Sequence, residues 1–300
     1  MNKRIRGILC LLTATILWGS TFVAQSVGMD HIGPFTFQAV RCGIAVIFLF
    51  PVAMVADRFK TDGKTFWGRW KDAKLWKSGI LCGIPLFFAC NLQQLGIVDT
   101  DAGKSAFLTA MYIVVVPIIG IFLKRKPSKM IPLSVALAVV GLYFLSCYGV
   151  TTISRGDLFL LGCAFMFAVQ ITVVDHCAPN TDAIRLNMIQ ALVCSALSFI
   201  AVFAFEEPDL SAMAVCWFPL CYAGVMSMGI AYLLQILGQK DLEPAAASLI
   251  MSMESVVAVL SGCIILKETL TIWETIGCIF VFAAVILSQV SPDMFRKAKV

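Results

Sequence analysis

Two charged side chains lie inside long apolar stretches and are the first candidates for chemistry. Glu254 lies about ten residues into one of these stretches, among methionines and valines. A carboxyl group in such a setting costs free energy unless it is paired, protonated or facing water. It could therefore carry a coupled proton or act as the counter-ion of a substrate amine. The structural alternative is a permanently protonated acid that is hydrogen-bonded to a neighbouring helix.

The second charged side chain is Arg41, which lies seven residues into another apolar stretch. Its guanidinium could bind a substrate carboxylate through two parallel hydrogen bonds. Its long side chain could equally reach the nearer membrane interface or pair with the C-terminus of a helix. The sequence leaves both interpretations open.

Uncharged polar and aromatic side chains complete the candidate site. Trp18 falls in the middle of its stretch and, with Phe22 and Tyr112, could stack on an apolar or aromatic part of a substrate. Amide side chains are costly in lipid without partners, so we expect them to face the interior of a bundle. Ordinary core packing of the aromatic residues, and a helix-to-helix hydrogen bond between Gln93 and Gln235, are the structural alternatives. The candidate substrate-binding residues are Glu254, Arg41, Tyr112, Trp18, Gln93, Gln235, Phe22, Thr109 and Gln190.

The elements that must position these side chains are membrane-spanning helices. Hydrophobic residues make up 60% of the 300 residues, only 14% are charged, and the mean hydropathy is +0.90. A water-soluble domain does not reach such values while keeping its surface wet. We predict an all-α integral membrane protein, multi-pass in the cell (inner) membrane. Stretches near the length of about 20 residues that a crossing helix needs predict ten transmembrane helices, at 6–26, 34–54, 75–97, 104–122, 131–148, 156–175, 184–205, 213–236, 245–266 and 271–290.

The distribution of basic residues predicts the orientation of these spans. If the N-terminus is cytoplasmic, 19 of the 23 lysines and arginines lie on that side, in loops or near the ends of the spans. The positive-inside rule therefore predicts that both termini are cytoplasmic. The net charge of +5 is then a signal of topology, and we expect no nucleic-acid partner.

The second half of the sequence repeats the first. Residues 6–12 align with residues 155–161 at an offset of 149, and both copies begin with Arg-Gly. Residues 93–99 align with residues 235–241 at an offset of 142, with Gln, Leu, Gly and Asp in the same order. The offset falls from 149 to 142 because the loop between the second and third spans is longer in the first copy.

Each copy would hold five spans, so the second copy enters the membrane from the opposite side. We predict two inverted five-helix repeats, 1–150 and 151–300, with a polar cavity near the middle of the membrane where they meet. The offset of 142 makes Tyr112 the repeat mate of Glu254, which would place a phenol and a carboxyl in one cavity. Because one chain already contains both repeats, we expect a monomer.

Other kinds of site find little support in the sequence. The twelve cysteines contain no C-x-x-C pair and lie almost entirely within spans, which favours packing over metal binding. His31 and His176 are predicted near opposite membrane faces, so we expect no metal site and no cofactor. Nucleotide-binding motifs are absent from the sequence, so ATP-driven pumping is unsupported. An intramembrane enzyme and a structural or sensory membrane protein remain as minor alternatives.

Several short motifs resemble those of the EamA-like members of the drug/metabolite transporter superfamily. The motifs are residues 18–22 (WGSTF), Arg41, residues 101–109 (DAGKSAFLT) and residues 266–271 (LKETLT). This resemblance covers essentially the whole chain and implies secondary transport, commonly the export of metabolites or amino acids. One position departs from it: the second repeat of the family often has Glu-Pro where this chain has Glu254-Ser255. Whether the ninth span is broken by a proline-like kink is therefore open.

Together these observations predict a secondary active transporter, not an enzyme, that exports small metabolites such as amino acids by alternating access. Amino acids carry one amine and one carboxylate, which match Glu254 and Arg41. The expected partners are a small-molecule substrate, the lipid bilayer and, as an option, protons. The alternative is an organic-anion or sugar-phosphate exchanger, but such a substrate favours several buried cations and the spans offer only Arg41.

Overall fold

The computed structural model describes residues 2–61, 63–100, 102–125, 128–146, 153–265 and 271–289. The regular structure within these ranges is helical throughout. Its α-helices are α1 (Lys3–Met29), α2 (Pro34–Asp57), α3 (Phe66–Trp70), α4 (Ala73–Val98), α5 (Ala102–Ala110), α6 (Tyr112–Phe122), α7 (Ile131–Ser146), α8 (Arg155–Cys177), α9 (Ala183–Phe205), α10 (Leu210–Val215), α11 (Trp217–Tyr222), α12 (Tyr232–Gln239), α13 (Pro244–Met251), α14 (Glu254–Ile265) and α15 (Ile272–Gln289). A 3-10 turn (Ala178–Asn180) follows α8, and a π-helical segment (Ala223–Ala231) joins α11 to α12.

Within the described ranges, nine helical segments are long and apolar enough to cross a membrane. This confirms an all-helical, multi-pass membrane protein. The fifth predicted span, 131–148, corresponds to α7, whose 16 residues run up to the last described position of its range, Ser146; residues 147 and 148 lie outside the described residues. Asp101, residues 266–270 and the predicted end of the tenth span at 290 lie outside the described residues. The eighth span, predicted at 213–236, is observed over Trp217–Gln239, because the turn at Cys216 separates α10 from it.

The fourth and ninth spans are both broken, at equivalent positions of the two repeats. The break at Met111 separates α5 from α6, and the break at Ser252 and Met253 separates α13 from α14. The ninth span breaks without a proline: the Ser252 hydroxyl donates to the carbonyl of Leu249 at 2.8 Å. Serine hydroxyls that compete for helix carbonyls are known to bend helices. The Glu254-Ser255 departure therefore does not remove the break.

The same helix–helix contact occurs once in each half of the structure, and the two copies are related by the sequence offsets of 142 and 149. A Cβ atom on Gly96 would lie 2.5 Å from Cγ of Leu160, and a Cβ atom on Gly238 would lie 2.7 Å from Cγ of Leu11. The two glycines are 142 residues apart and the two leucines 149 residues apart. The contact between α4 and α8 is therefore the repeat copy of the contact between α12 and α1.

The π-helical segment accommodates one extra residue in the second repeat. A Cβ atom on Gly83 would meet Cβ of Val193 at 2.7 Å, and a Cβ atom on Gly224 would meet Cβ of Ile44 at 2.8 Å. These two contacts are repeat copies, so Gly83 and Gly224 are equivalent residues that lie 141 positions apart. After the π-helical segment, equivalent residues lie 142 positions apart. The π-helical segment Ala223–Ala231 lies between the two registers, and a π-turn absorbs one additional residue.

Helices α2 and α9 are mates that lie against each other and are joined at both ends. At one end, both carboxylate oxygens of Glu206 accept the backbone N–H groups of Phe35 and Thr36 at 2.8 Å. At the other end, the carboxylate of Asp57 accepts hydrogen bonds from Nη1 and Nη2 of Arg185 at 3.1 and 2.5 Å. Asp57 and Glu206 are 149 residues apart, so the two joints are also repeat copies. We call the end with Asp57, where α1 begins and α2 finishes, the basic end of the bundle.

Candidate functional site

A cavity lies between the two halves of the chain, with about 470 Å³ of space not filled by protein atoms. Its lining residues from the first half are Trp18, Thr21, Phe22, Gln25, Arg41, Gln93 and Tyr112, and those from the second half are Phe167, Ile171, Ser227, Tyr232, Gln235, Met251 and Glu254. Residues 18, 21, 22 and 25 recur at the spacing of one helix face, so α1 presents a continuous wall to the cavity.

The carboxyl of Glu254 is bound to its own repeat mate. Tyr112 Oη donates to Glu254 Oε1 at 3.0 Å, and both side chains are no more than 5% exposed. Each of the two residues begins the helix that follows a break. Residues related by a two-fold axis can touch only near that axis, so the pseudo-two-fold axis passes between them.

A second mated pair lies at the cavity and supports the same axis. Cys90 Sγ lies 3.5 Å from Tyr232 Oη, and the two residues are also 142 apart. Tyr232 lines the cavity, and its ring meets that of Trp18 edge to face with the centroids 5.0 Å apart. The cavity therefore lies at the pseudo-two-fold axis that relates the two repeats.

Arg41 is buried, with 2% of its surface exposed, and does not reach the end of the bundle. Its Nε donates to Gln38 Oε1 at 2.6 Å, and its Nη1 donates to Gln25 Oε1. Among the described residues, no carboxylate forms an ion pair with it. Two amide oxygens thus hold the guanidinium at the cavity wall without neutralising its charge, and its remaining N–H groups can bind an anionic group.

Two polar atoms of the cavity wall are buried without a hydrogen-bond partner among the described residues. They are Nε1 of Trp18, a donor, and Oε1 of Gln235, an acceptor. Buried polar groups are usually hydrogen-bonded. A donor and an acceptor left over in one cavity are suited to a ligand that carries both kinds of group.

The predicted amide residues divide into a cavity layer and a supporting layer. Gln93 and Gln235 line the cavity but do not bond each other: Gln93 donates to Thr109 at 3.4 Å, and Gln235 donates to Gln170 at 3.1 Å. Gln190 accepts from Gln170 at 3.4 Å. Thr109 and Gln190 therefore lie behind the lining residues.

The amide chain ends on the π-helical segment. Gln190 donates to Asn187 at 2.8 Å, and Asn187 Nδ2 donates to the carbonyls of Met228 and Gly229 at 3.0 and 2.9 Å. These carbonyls belong to the irregular stretch, where the ordinary helical hydrogen bonds are interrupted. Asn187 thus supports the segment that brings Ser227 to the cavity.

Sequence reasoning missed several lining residues. Phe167 and Ile171 come from α8, and their apolar residue types do not distinguish them from core packing. Ser227 was missed because it lies within the π-helical segment, where the repeat offset changes by one residue. Tyr232 was missed because its residue type does not distinguish a cavity-lining tyrosine from one that packs in the core. The spacing from Trp18 to Gln25 on α1 is the signal that could have added Thr21 and Gln25.

Two repeats of apolar helices that enclose a polar cavity at their pseudo-symmetry axis define a membrane transporter. The model of the EamA-like transporter family matches residues 5–147 and again residues 154–289. The chain belongs to this family.

Similar proteins extend over nearly the whole chain. An uncharacterized transporter of Archaeoglobus fulgidus is 30% identical over 292 residues, which cover 95% of this chain and 86% of that protein. The uncharacterized transporter YoaV of Bacillus subtilis is 20% identical and covers 95% of this chain and 97% of its own length. A crystal structure that is 16% identical superposes with a TM-score of 0.76 over 99% of this chain and 100% of its own. That structure supports the fold alone.

Proposed function

We propose that this protein is a secondary active transporter of small metabolites that carry both an amine and a carboxylate, such as amino acids. The observation that carries the proposal is that Glu254 and Arg41 line the same cavity from different repeats. Neither forms an ion pair with another described side chain. One zwitterionic substrate would place its amine near Glu254 and its carboxylate near Arg41, so that each buried charge gains a partner.

The rest of the cavity is suited to the remaining parts of such a molecule. The rings of Trp18, Tyr232 and Phe167 offer apolar surface for a side chain. Trp18 Nε1 and Gln235 Oε1 supply one donor and one acceptor. These rings and polar atoms would discriminate between substrates by the side chain that each substrate carries.

We further propose that Glu254 couples transport to protons. Because Glu254 and Tyr112 lie at the pseudo-two-fold axis, exchanging the conformations of the two repeats would leave the carboxyl central while its access changes sides. That is the property a coupling site needs in alternating access. The proton and the substrate amine would then compete for one carboxylate.

The membrane arrangement is part of the same proposal. We propose ten spans with both termini in the cytoplasm, so that the basic end faces the cytoplasm, in the inner membrane of the cell. Transport would run outward, as is common in the family. The chain would act as a monomer, since it contains both repeats and the whole cavity lining.

The second candidate is an exchanger of organic anions or sugar phosphates. It is favoured by Arg41, whose charge has no carboxylate partner among the described residues. A phosphate dianion would, however, share the cavity with Glu254 and meet only one cation. The zwitterion satisfies both charges and is the stronger proposal. Nothing in the cavity favours an intramembrane enzyme over a transporter.

The test is a ligand screen followed by transport in liposomes. Purified protein is heated with amino acids, amines without a carboxylate, carboxylates without an amine, and sugar phosphates. A ligand of the native state raises the apparent melting temperature in proportion to ln(1 + [L]/Kd). We expect amino acids to give the largest shift and to be moved by the protein in liposomes. Binding of sugar phosphates alone, or chemical conversion of a bound amino acid, would overturn the proposal.

A further inference from the structure

Four buried amide side chains form one chain of hydrogen bonds between the central cavity and the π-helical segment. We call these residues, Gln235, Gln170, Gln190 and Asn187, the amide chain. Gln235 Nε2 donates to Gln170 Oε1 at 3.1 Å, and Gln170 Nε2 donates to Gln190 Oε1 at 3.4 Å. Gln190 Nε2 donates to Asn187 Oδ1 at 2.8 Å. None of the four residues is more than 1% exposed, so the amides have only protein groups as partners along the chain.

The backbone of the π-helical segment fixes the direction of the amide chain. Asn187 Nδ2 donates to the carbonyls of Met228 and Gly229 at 3.0 and 2.9 Å. A carbonyl accepts hydrogen bonds and cannot donate them, so Asn187 must turn its NH2 group toward the π-helical segment and its oxygen toward Gln190. Because Asn187 then offers only an oxygen, Gln190 must donate to it and offer its own oxygen to Gln170. Each amide of the chain is oriented by the one before it.

Gln235 is the last amide of the chain, and its orientation follows from the others. Its Nε2 is bonded to Gln170, which leaves Oε1 for the cavity that Gln235 lines. This oxygen is buried and has no hydrogen-bond partner among the described residues. Aligned hydrogen bonds polarise one another, so an oxygen at the free end of such a chain accepts more strongly than an isolated amide does. The chain therefore presents an acceptor, and not a donor, to the cavity.

The equivalent residues of the first repeat have the opposite hydrogen-bonding character. At the offset of 149, Arg41 is the mate of Gln190 and Gln38 is the mate of Asn187. Arg41 Nε donates to Gln38 Oε1 at 2.6 Å, which is the repeat copy of the hydrogen bond from Gln190 to Asn187. The remaining N–H groups of the guanidinium are donors. The first repeat thus offers donors at Arg41, and the second repeat offers an acceptor at Gln235.

We propose that Gln235 Oε1 accepts a hydrogen bond from the side chain of the substrate, and that Asn187 is the positioning residue that holds this oxygen in place. This inference rests on the proposed function, in which the substrate carboxylate lies near Arg41 and the amine near Glu254. A carboxylate binds a charged amine more strongly than a neutral amide does, so Gln235 is free for a donor elsewhere on the molecule. The favoured substrates are then amino acids whose side chains carry a hydroxyl or an N–H group.

The experiment compares threonine with valine, which differ by one hydroxyl group and have nearly the same shape. Thermal-shift titrations of the full chain in detergent give the Kd of each amino acid. A buried acceptor that is left without a donor disfavours valine, so we expect threonine to bind roughly tenfold or more tightly. Gln235→Met removes the acceptor and should abolish this preference by weakening the binding of threonine alone.

Asn187→Leu tests the positioning role, because Asn187 is not among the residues that line the cavity. Without its hydrogen bonds to the backbone carbonyls the other amides can flip, so we expect the ratio of the two Kd values to fall toward one while valine binds as it does to wild type. Asn91→Leu is the matched control: Asn91 is also buried and donates to a backbone carbonyl, that of Phe87, at 2.8 Å, but it is not part of the amide chain. This control should keep the wild-type ratio. The melting temperature of each variant without ligand reports whether it is folded.

The outcomes distinguish this inference from the proposed function. Equal affinities of the wild type for threonine and valine would overturn the role of Gln235 and leave the binding of zwitterions intact. A preference that survives in Asn187→Leu, or that falls equally in Asn91→Leu, would overturn the positioning role. If neither amino acid binds, the same comparison is made with ethanolamine and propylamine. A preference for ethanolamine that Gln235→Met abolishes would support Gln235 as the acceptor and overturn the proposed function, and without such a preference both would be overturned.

Discussion

Tyr112 and Glu254 are equivalent residues of the two repeats, and they are hydrogen-bonded to each other. The contact exists because the fourth and ninth spans break at the same repeat position, so that each following helix starts at the pseudo-two-fold axis. The repeat places a phenol on one side of the axis and a carboxyl on the other. An asymmetric pair at a symmetric position gives the centre of the cavity one ionisable acid and one fixed donor.

We predict that Glu254→Gln abolishes the pH dependence of transport, because the amide can accept the Tyr112 hydrogen bond but cannot exchange a proton. Transport would be measured in liposomes with an imposed pH gradient and compared at two pH values. Tyr112→Phe keeps the carboxyl and removes only its donor, so it should shift the pH profile and retain coupling. Glu274→Gln, which alters a half-buried carboxylate at the start of α15, outside the cavity, is the control. A pH profile unchanged in Glu254→Gln would assign that residue to packing.

We predict that Arg41→Gln selectively weakens ligands that carry a carboxylate. A hydrogen-bonded charged pair contributes about 1.5–3 kcal/mol, which corresponds to roughly 10- to 150-fold in Kd. Amines without a carboxylate should bind as they do to wild type. Arg41→Lys keeps the charge but loses the planar guanidinium, so its affinity for ligands with a carboxylate should fall between those of wild type and Arg41→Gln. Thermal-shift titrations give the ratios, and an equal loss for both ligand classes would mean that the substitution disturbed the bundle instead of one contact.

The sequence could predict the central pair but not all of its surroundings. Composition and repeat offsets were enough to identify Tyr112 and Glu254 as mates, because both sit in continuous alignment. Arg41 has two interpretations in the sequence, since its burial depends on Gln25, which comes from another helix, as well as on Gln38 of its own helix. The break before Glu254 does not follow from the sequence, because no proline marks it. Tyr232 was missed because its residue type does not distinguish a cavity-lining tyrosine from one that packs in the core.

We predict that Gly96→Ala and Gly238→Ala destabilise the protein to a similar extent, because they fill equivalent helix contacts. Overpacking of a close contact costs about 1–3 kcal/mol. Gly120→Ala on α6 is the matched control, since a Cβ atom there would meet nothing within 4 Å. In a background with Leu11→Ala, Gly238→Ala should cost less than in wild type, while Gly96→Ala should cost the same. Apparent melting temperatures in detergent measure these differences, and a rescue of both glycine variants by Leu11→Ala would contradict the assigned contacts.

We predict that the joint at the basic end weakens in acid through Asp182, the N-cap of α9. Burial raises the pKa of its carboxyl, but hydrogen bonds from Lys60 and from the backbone N–H of Arg185 outweigh that effect and hold the pKa below the ordinary value of 3.8. A carboxyl whose pKa is lowered by folding stabilises the native state above its unfolded pKa, and this contribution is lost as the pH falls through the folded value. Asp182→Asn, which keeps a capping side chain, should therefore lower the melting temperature at neutral pH and converge with wild type as the pH falls below about 3.8. Asp30→Asn, in the turn at the opposite end, serves as the control. A difference between Asp182→Asn and wild type that is the same at every pH would show that the cap, and not the charge, accounts for the stability.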